Sequence, residues 1–341
     1  MDKKTYIINI AITLAIIIAI FYFVDIGKVI EELTKVDMKF IVLAILVYIV
    51  LNVLMAKRIQ KLLSAMGHKT SLSECVQANF GGMLLSDFTP VRSGYFFTAF
   101  SLSSKKGIPI EKTMLSIFGP QIFEFLLKVV CSGVLIFVVI SNLIPKENQN
   151  ITLLLLVVMG LGMLFLIALL FSKRLLQKFE FMKKLPGGKK LFYLMKLMQD
   201  NSNVLLKEWP VVFGVLFGAW VLKGIEWLLI AQSLGIEITA MNEFVFFLLF
   251  HSSITFLHFM PFPTIAGAGA SEAISAGILS LLGVPLEKGL TFAILTRALM
   301  IFVDLIGLIS IGEFIKKGKF FELLNTLDKT EEKGEEKVEG K

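Results

Sequence analysis

Cysteine and histidine are scarce in this chain of 341 residues, with two of the first and three of the second. Cys75 and Cys131 cannot build a disulfide framework, and neither sits in a Cys-x-x-Cys or Cys/His cluster, so metal and redox chemistry find no support. A Walker A loop, a His-Glu-x-x-His and a Gly-x-Ser-x-Gly are all missing, which argues against ATP-driven transport within the chain and leaves no catalytic motif. No cofactor is called for. Charge is also sparse: 18% of residues are charged against 56% apolar, and the mean hydropathy of +0.79 excludes a soluble enzyme. The net charge of +7 does not ask for nucleic acid, because in a membrane chain excess Lys and Arg first mark the loops that stay in the cytoplasm.

Long apolar runs are plentiful. Six segments, 5–24, 39–57, 114–140, 151–172, 209–231 and 289–312, are close to the ~20 residues that cross ~30 Å of hydrocarbon as a helix, and predict an all-α polytopic membrane protein. Lys3 and Lys4 precede the first run, but no small-x-small cleavage site follows it, so it is expected to be a retained span rather than a signal peptide. Two further apolar stretches, 74–104 and 243–283, are broken near their middles and read as helical hairpins, re-entrant or fully spanning. Asp87, Pro90 and Gly94 mark the first tip, where Pro90 removes a helix donor and Gly94 is expected to take unusual dihedrals; Pro261, Pro263, Gly267 and Gly269 mark the second. Such backbone is tolerated at membrane depth only where protein or a wet cavity satisfies its polar groups.

Charge placement orients the chain. Residues 173–208 hold nine basic side chains against three acidic ones, a local balance of +6 that accounts for nearly the whole net charge. This loop is expected in the cytoplasm, together with both termini, in a multi-pass protein of the cell membrane. Its interleaved apolar residues, such as Leu176, Phe179 and Leu194, suggest interfacial amphipathic helices. A single membrane domain over 1–327 and a disordered charged tail over 328–341 complete the expected layout.

Gly107-Ile108-Pro109-Ile110-Glu111-Lys112 recurs 176 positions later as Gly283-Val284-Pro285-Leu286-Glu287-Lys288, each time between a hairpin and the next span. A shared helix start would explain the motif locally, with proline at the first position and glutamate at the positive end of the dipole. The same offset nearly aligns the two broken tips, which favours a duplicated unit. Its copies, about 39–140 and 209–312, start from opposite sides of the membrane and form an inverted repeat.

Each charge inside an apolar segment costs roughly 2.5–3.5 kcal/mol at the bilayer centre, so these residues are candidates for function. Glu124 and Lys128 are four apart and Lys223 and Glu226 three apart, so each couple is expected to form an ion pair on one helix face. Arg297 and Asp304 are about 10.5 Å apart along a helix at 1.5 Å per residue, and need other partners. Glu272 is the expected partner of Arg297. Arg92 and Arg297 carry the planar fork that suits phosphate or carboxylate. His251 and His258 are expected to be satisfied, packed histidines, and the abundant phenylalanine to face lipid.

Pro90 through Gly94 to Gly107-Ile108-Pro109, Pro261 to Glu272, Gly283-Val284-Pro285 and Arg297 to Asp304 resemble the lysylphosphatidylglycerol synthase transmembrane region. This flippase-like membrane family is related to the flippase half of multiple peptide resistance factors. The first motif departs from the family's Pro-Gly-x-Gly-Glu, with Val91 for the first glycine and Tyr95 for the acidic residue, which weakens any proton or cation role there. The aminoacyl-transfer domain of the family is missing, so synthesis of a lysyl-lipid is not implied. The broken hairpins and buried charges suggest translocation, and the resemblance implies a lipid or lipid-linked anionic head group as the substrate, with Arg92 and Arg297 expected at the head group and Glu272 and Asp304 balancing charge or coupling to an ion. Membrane lipids would be the partners, and a lipid-modifying enzyme is a conceivable one. A membrane-embedded enzyme using Glu272 and Asp304 as acid and base, and a non-catalytic envelope-assembly protein, are the alternatives.

Overall fold

The computed structural model describes residues 25–89, 92–137, 146–184, 188–257 and 267–316. The expected span 5–24, Pro90, His258, Pro261, Pro263 and the charged tail lie outside them. Among the described residues there are helices and no strands. A short helix, α1 (Ile26–Thr34), is capped by Asp25, whose carboxylate accepts from the Lys28 amide at 3.3 Å. This helix is held because Val29 packs on Ala276 and Leu290 while Lys28 reaches Glu287 at 3.6 Å.

Among the described residues, four helices are long and apolar enough to cross a membrane: α2 (Met38–Ala65), α5 (Ile110–Leu135), α10 (Trp209–Ser233), and the run Leu286–Ile315, made of α13 (Leu286–Asp304), a 3-10 turn and α14 (Leu308–Lys316). Their lipid face is explicit on α2, where Val42, Leu43, Leu46 and Val50 are all about half exposed. Between them sit α3 (Leu72–Asp87), α4 (Tyr95–Lys106), α11 (Glu243–Leu257) and α12 (Ala270–Leu281). At 1.5 Å per residue, the 16 residues of α3 and the 12 of α4 span only about 24 and 18 Å, less than the hydrocarbon core.

The expected 151–172 span falls within α6 (Lys146–Phe171), which packs on α5. The basic segment is largely helical, with α7 (Lys173–Gln177), a 3-10 turn, α8 (Gly188–Asn201) and α9 (Asn203–Lys207). Its apolar residues do not simply lie on lipid: Leu176, Phe192 and Tyr193 are buried with Leu169 of α6. Lys183 covers the Phe192 ring at 4.7 Å, so the charged side of the segment remains outermost.

The two Gly-x-Pro motifs fold alike. Gly107 (φ 62°) and Gly283 (φ 90°) both leave a 12-residue helix in the left-handed region, and Pro109 and Pro285 then cap long apolar helices with nearly identical dihedrals. Gly94 differs from its sequence reading. Its dihedrals are ordinary (φ −55°, ψ −22°), and glycine is needed for space, because a Cβ would stand 2.1 Å from the Ser86 backbone nitrogen. Gly307 also lies against α3, where a Cβ would meet Phe80 backbone atoms at 2.4 Å.

Helix α10 runs along α2, α11 packs on both α10 and α5, and α12 lies on α13. Phenylalanine fills the centre as well as the lipid face: Phe246, Phe247, Phe250 and Phe292 are fully buried, with Phe246 and Phe250 stacked at 5.1 Å and Trp227 edge-on to Phe292 at 5.5 Å. Ring packing between α10, α11 and α13 explains this departure from the expectation of lipid-facing bulk.

Candidate substrate site

The charged residues at membrane depth converge on one region of the bundle. On α2, Tyr48, Asn52 and Met55 recur at helical spacing and present one face inward; Asn79 and Met83 do so on α3, and His251 and Thr255 on α11. With Glu124, Leu127 and Lys128 of α5, Trp220 and Lys223 of α10, Met300 of α13, and Arg92 and Tyr95 at the first tip, they enclose a cavity of about 100 Å³. Pro120 lies one turn before Glu124 inside α5 and removes one backbone donor from that helix.

Arg92 sits at the turn between α3 and α4, with φ 51°, a conformation rare for a residue with a side chain. Its Nη2 donates to Asp87 Oδ1 at 3.2 Å, so the first tip closes on its own ion pair. Across the bundle Asp304 is fully buried and accepts from Tyr48 Oη at 2.9 Å.

Lys223 Nζ donates to both Glu226 oxygens at 2.9 Å, lies 4.4 Å above the Tyr48 ring, and points a further donor at Met300 Sδ, 3.2 Å away. Glu226 is completely buried, and the Lys223 ammonium is the cation placed against it. Glu124 also meets a partner from another helix, Arg58 Nη1 of α2, at 3.6 Å. Lys128, four residues on, lies 5.6 Å from the Phe125 ring centroid.

The second tip is built around Glu272. Its Oε2 accepts from the Gly269 amide at 2.8 Å and from Ser271 Oγ at 2.9 Å, while Oε1 receives Nε of Arg297. Arg297 Nη2 also donates to Ser271 Oγ at 2.9 Å. Gly267 (φ 72°) and Gly269 (φ 81°) allow this chain entry, because a residue with a Cβ rarely adopts such backbone. One carboxylate therefore caps α12 and holds the guanidinium of α13. A smaller pocket borders this cluster, and Met300 lines both it and the main cavity.

Several participants escaped the sequence reading. Arg58 follows Lys57 at the end of an apolar run and resembles a loop charge, yet it is 1% exposed. Tyr48, Asn52, Asn79 and Tyr95 carry no spacing signal beyond a polar residue on an otherwise apolar helix face. His251 is packed, as expected, but among the described residues neither ring nitrogen makes a hydrogen bond of good geometry. Among the described residues no cluster of His, Cys, Asp or Glu is arranged to hold a metal ion.

No curated protein and no solved structure matches the chain. From residue 6 to residue 307 it matches the family described as the Lysylphosphatidylglycerol synthase TM region, and with most of its length covered the chain belongs to that family.

Proposed function

We propose that this multi-pass membrane protein moves a lipid or lipid-linked anionic head group between leaflets, through the cavity at the centre of its bundle. Arg92 and Arg297 contact the head group, and Glu272 and Asp304 balance charge or couple movement to an ion. The observation that carries the reading is the cavity itself, lined by cations and amides, inside helices whose outer faces are apolar. Charges at that depth are costly unless they serve a polar passenger. Family membership supports a lipid as the substrate class.

The two 12-residue helices that follow the broken tips, α4 and α12, support an inverted repeat, with hairpins entering from opposite faces so that both tips approach the middle of the membrane. Met300 forms a common wall between the cavity and the pocket beside Arg297, so a shift of one flexible side chain would join them. In this reading the protein lies in the cell membrane with both termini in the cytoplasm.

Reconstitution into liposomes carrying a fluorescent anionic lipid, followed by dithionite quenching, tests the proposal. Protein-dependent loss of the protected fraction is expected, reduced in Arg92→Ala and in Arg297→Ala. Absence of translocation for every anionic lipid tried, or full activity in both variants, would overturn it.

A further inference from the structure

The charges in the wall of the main cavity largely answer one another. Arg92 stands 3.2 Å from Asp87, Lys223 stands 2.9 Å from Glu226, and Glu124 has Arg58 at 3.6 Å. Lys128 has contacts of its own, among them the Phe125 ring. A ligand against this wall meets little net charge and is read mainly by neutral groups.

Those neutral groups are few and fixed in orientation. Asn52 Nδ2 donates to the Tyr48 carbonyl at 3.0 Å, which turns Asn52 Oδ1 toward α3, where Asn79 Nδ2 donates to it at 3.0 Å. The Asn79 amide nitrogen is thereby committed and its oxygen is left over. That Oδ1 accepts from none of the described residues, and it is not sealed off from accessible space as the His251 nitrogens are. Asn79 is nevertheless 4% exposed, and both asparagines line the cavity. Burying an amide oxygen costs stability unless a donor meets it, and leucine would fill the same space on α3 without that cost. On α10, Trp220 commits its indole N–H to Ser252 Oγ at 2.9 Å, and Ser252 donates in turn to the Leu248 carbonyl at 2.9 Å. What Trp220 offers the cavity is therefore ring carbon, held in place from behind.

A fixed acceptor, an aromatic surface and cancelled charge suit a ring that carries hydroxyls at its edge and C–H on its face. The cavity of about 100 Å³ is several times the roughly 10–15 Å³ that one water needs, which leaves room for one such ring. We propose that the cavity binds a neutral sugar ring, with a sugar hydroxyl donating to Asn79 Oδ1 and the C–H face lying on Trp220. A sugar carried on a lipid and a free sugar share this chemistry. The proposal deepens the translocase reading and rests on it for the lipid as carrier, the sugar being the neutral part of the head group.

Calorimetry on the full-length protein in a polyoxyethylene detergent, which carries no sugar, provides the test. The probes are the hexyl glycosides of glucose, mannose and galactose, the three free sugars, and hexyloxytetrahydropyran, which has the ring and the chain without the hydroxyls. Saturable binding of at least one glycoside is expected, and none of hexyloxytetrahydropyran. Trp220→Leu should weaken that binding about fivefold, the loss of one aromatic face. The double replacement Asn52→Leu with Asn79→Leu should do the same through the lost hydrogen bond, and should keep its melting temperature because neither amide is left stranded. Competition by the matching free sugar would assign recognition to the ring alone, and lack of competition to ring and chain together; both support the site. No saturable binding of any glycoside, equal binding of hexyloxytetrahydropyran, or unchanged affinity in either variant would overturn it. Glycoside binding that depends on the asparagines in a protein that does not translocate leaves this site standing and removes the translocase reading. Translocation of an anionic lipid without glycoside binding does the reverse.

Discussion

At the scale of single residues the interior is governed by charges that cannot reach water. Glu226 is fully buried and is held by Lys223, whose side chain is itself almost enclosed. Removing one partner of such a pair strands the other, whereas removing both leaves an apolar contact. Glu226→Gln is therefore expected to cost about 3–5 kcal/mol of stability. The double replacement Lys223→Met with Glu226→Leu should recover most of that loss. Thermal unfolding of both singles and the double in micelles checks the coupling, and simple additivity of the two effects would contradict it. This pair was visible in the sequence because its members are three residues apart on one helix. The pair of Arg58 and Glu124 was not, because its members come from helices separated by the whole first hairpin. Arg58 sits next to Lys57 and only burial distinguishes the two.

At the scale of elements, proline and glycine punctuate the chain where the sequence says they should. Pro109 and Pro285 open long helices, and Gly107 and Gly283 close short ones. The reason for a glycine was less legible: Gly94 was assigned to unusual dihedrals and instead makes room for the Ser86 backbone, a contact that no local pattern encodes. Helix ends are also tied across the bundle. Lys112 at the start of α5 reaches into the turn after α2, where its ammonium donates to the Met66 carbonyl at 3.2 Å and to His68 Nε2 at 3.1 Å. Partial burial and then the Lys112 charge lower the pKa of His68 from its ordinary 6.5. The folded protein thus prefers the neutral ring while the unfolded chain takes up the proton first. Stability should fall as pH drops below about 6.5. Melting temperatures between neutral and mildly acidic pH check this, with His68→Gln expected to flatten that part of the profile; an unchanged slope in the variant would assign the acid sensitivity elsewhere.

At the scale of the whole molecule, the basic segment 173–208 is proposed to set orientation, and its apolar side chains dock on α6. Lys178 is exposed there, and the two native cysteines are buried. A Lys178→Cys variant should react with a membrane-impermeant maleimide in inverted vesicles and not in intact spheroplasts, over a background of unreactive Cys75 and Cys131. Labelling from the outside would reverse the proposed orientation. The bundle is also where the polar residues acquire meaning, since the cavity exists only when α2, α3, α5, α10, α11 and α13 are assembled.

By itself the sequence determined the medium, the helical class, the family resemblance, the positions of the breaks and the set of charges at membrane depth. These depend on local hydropathy, on the backbone chemistry of proline and glycine, and on residue spacing within one helix. Only the tertiary structure decided which charge answers which. Tyr48 and Asp304 meet across 256 positions of chain, Arg297 is held by a carboxylate that also caps another helix, and Arg58 of α2 answers Glu124 of α5. Long-range pairing has no local signature, because any polar group on an inward helix face needs a partner, and which element supplies it depends on how the helices pack.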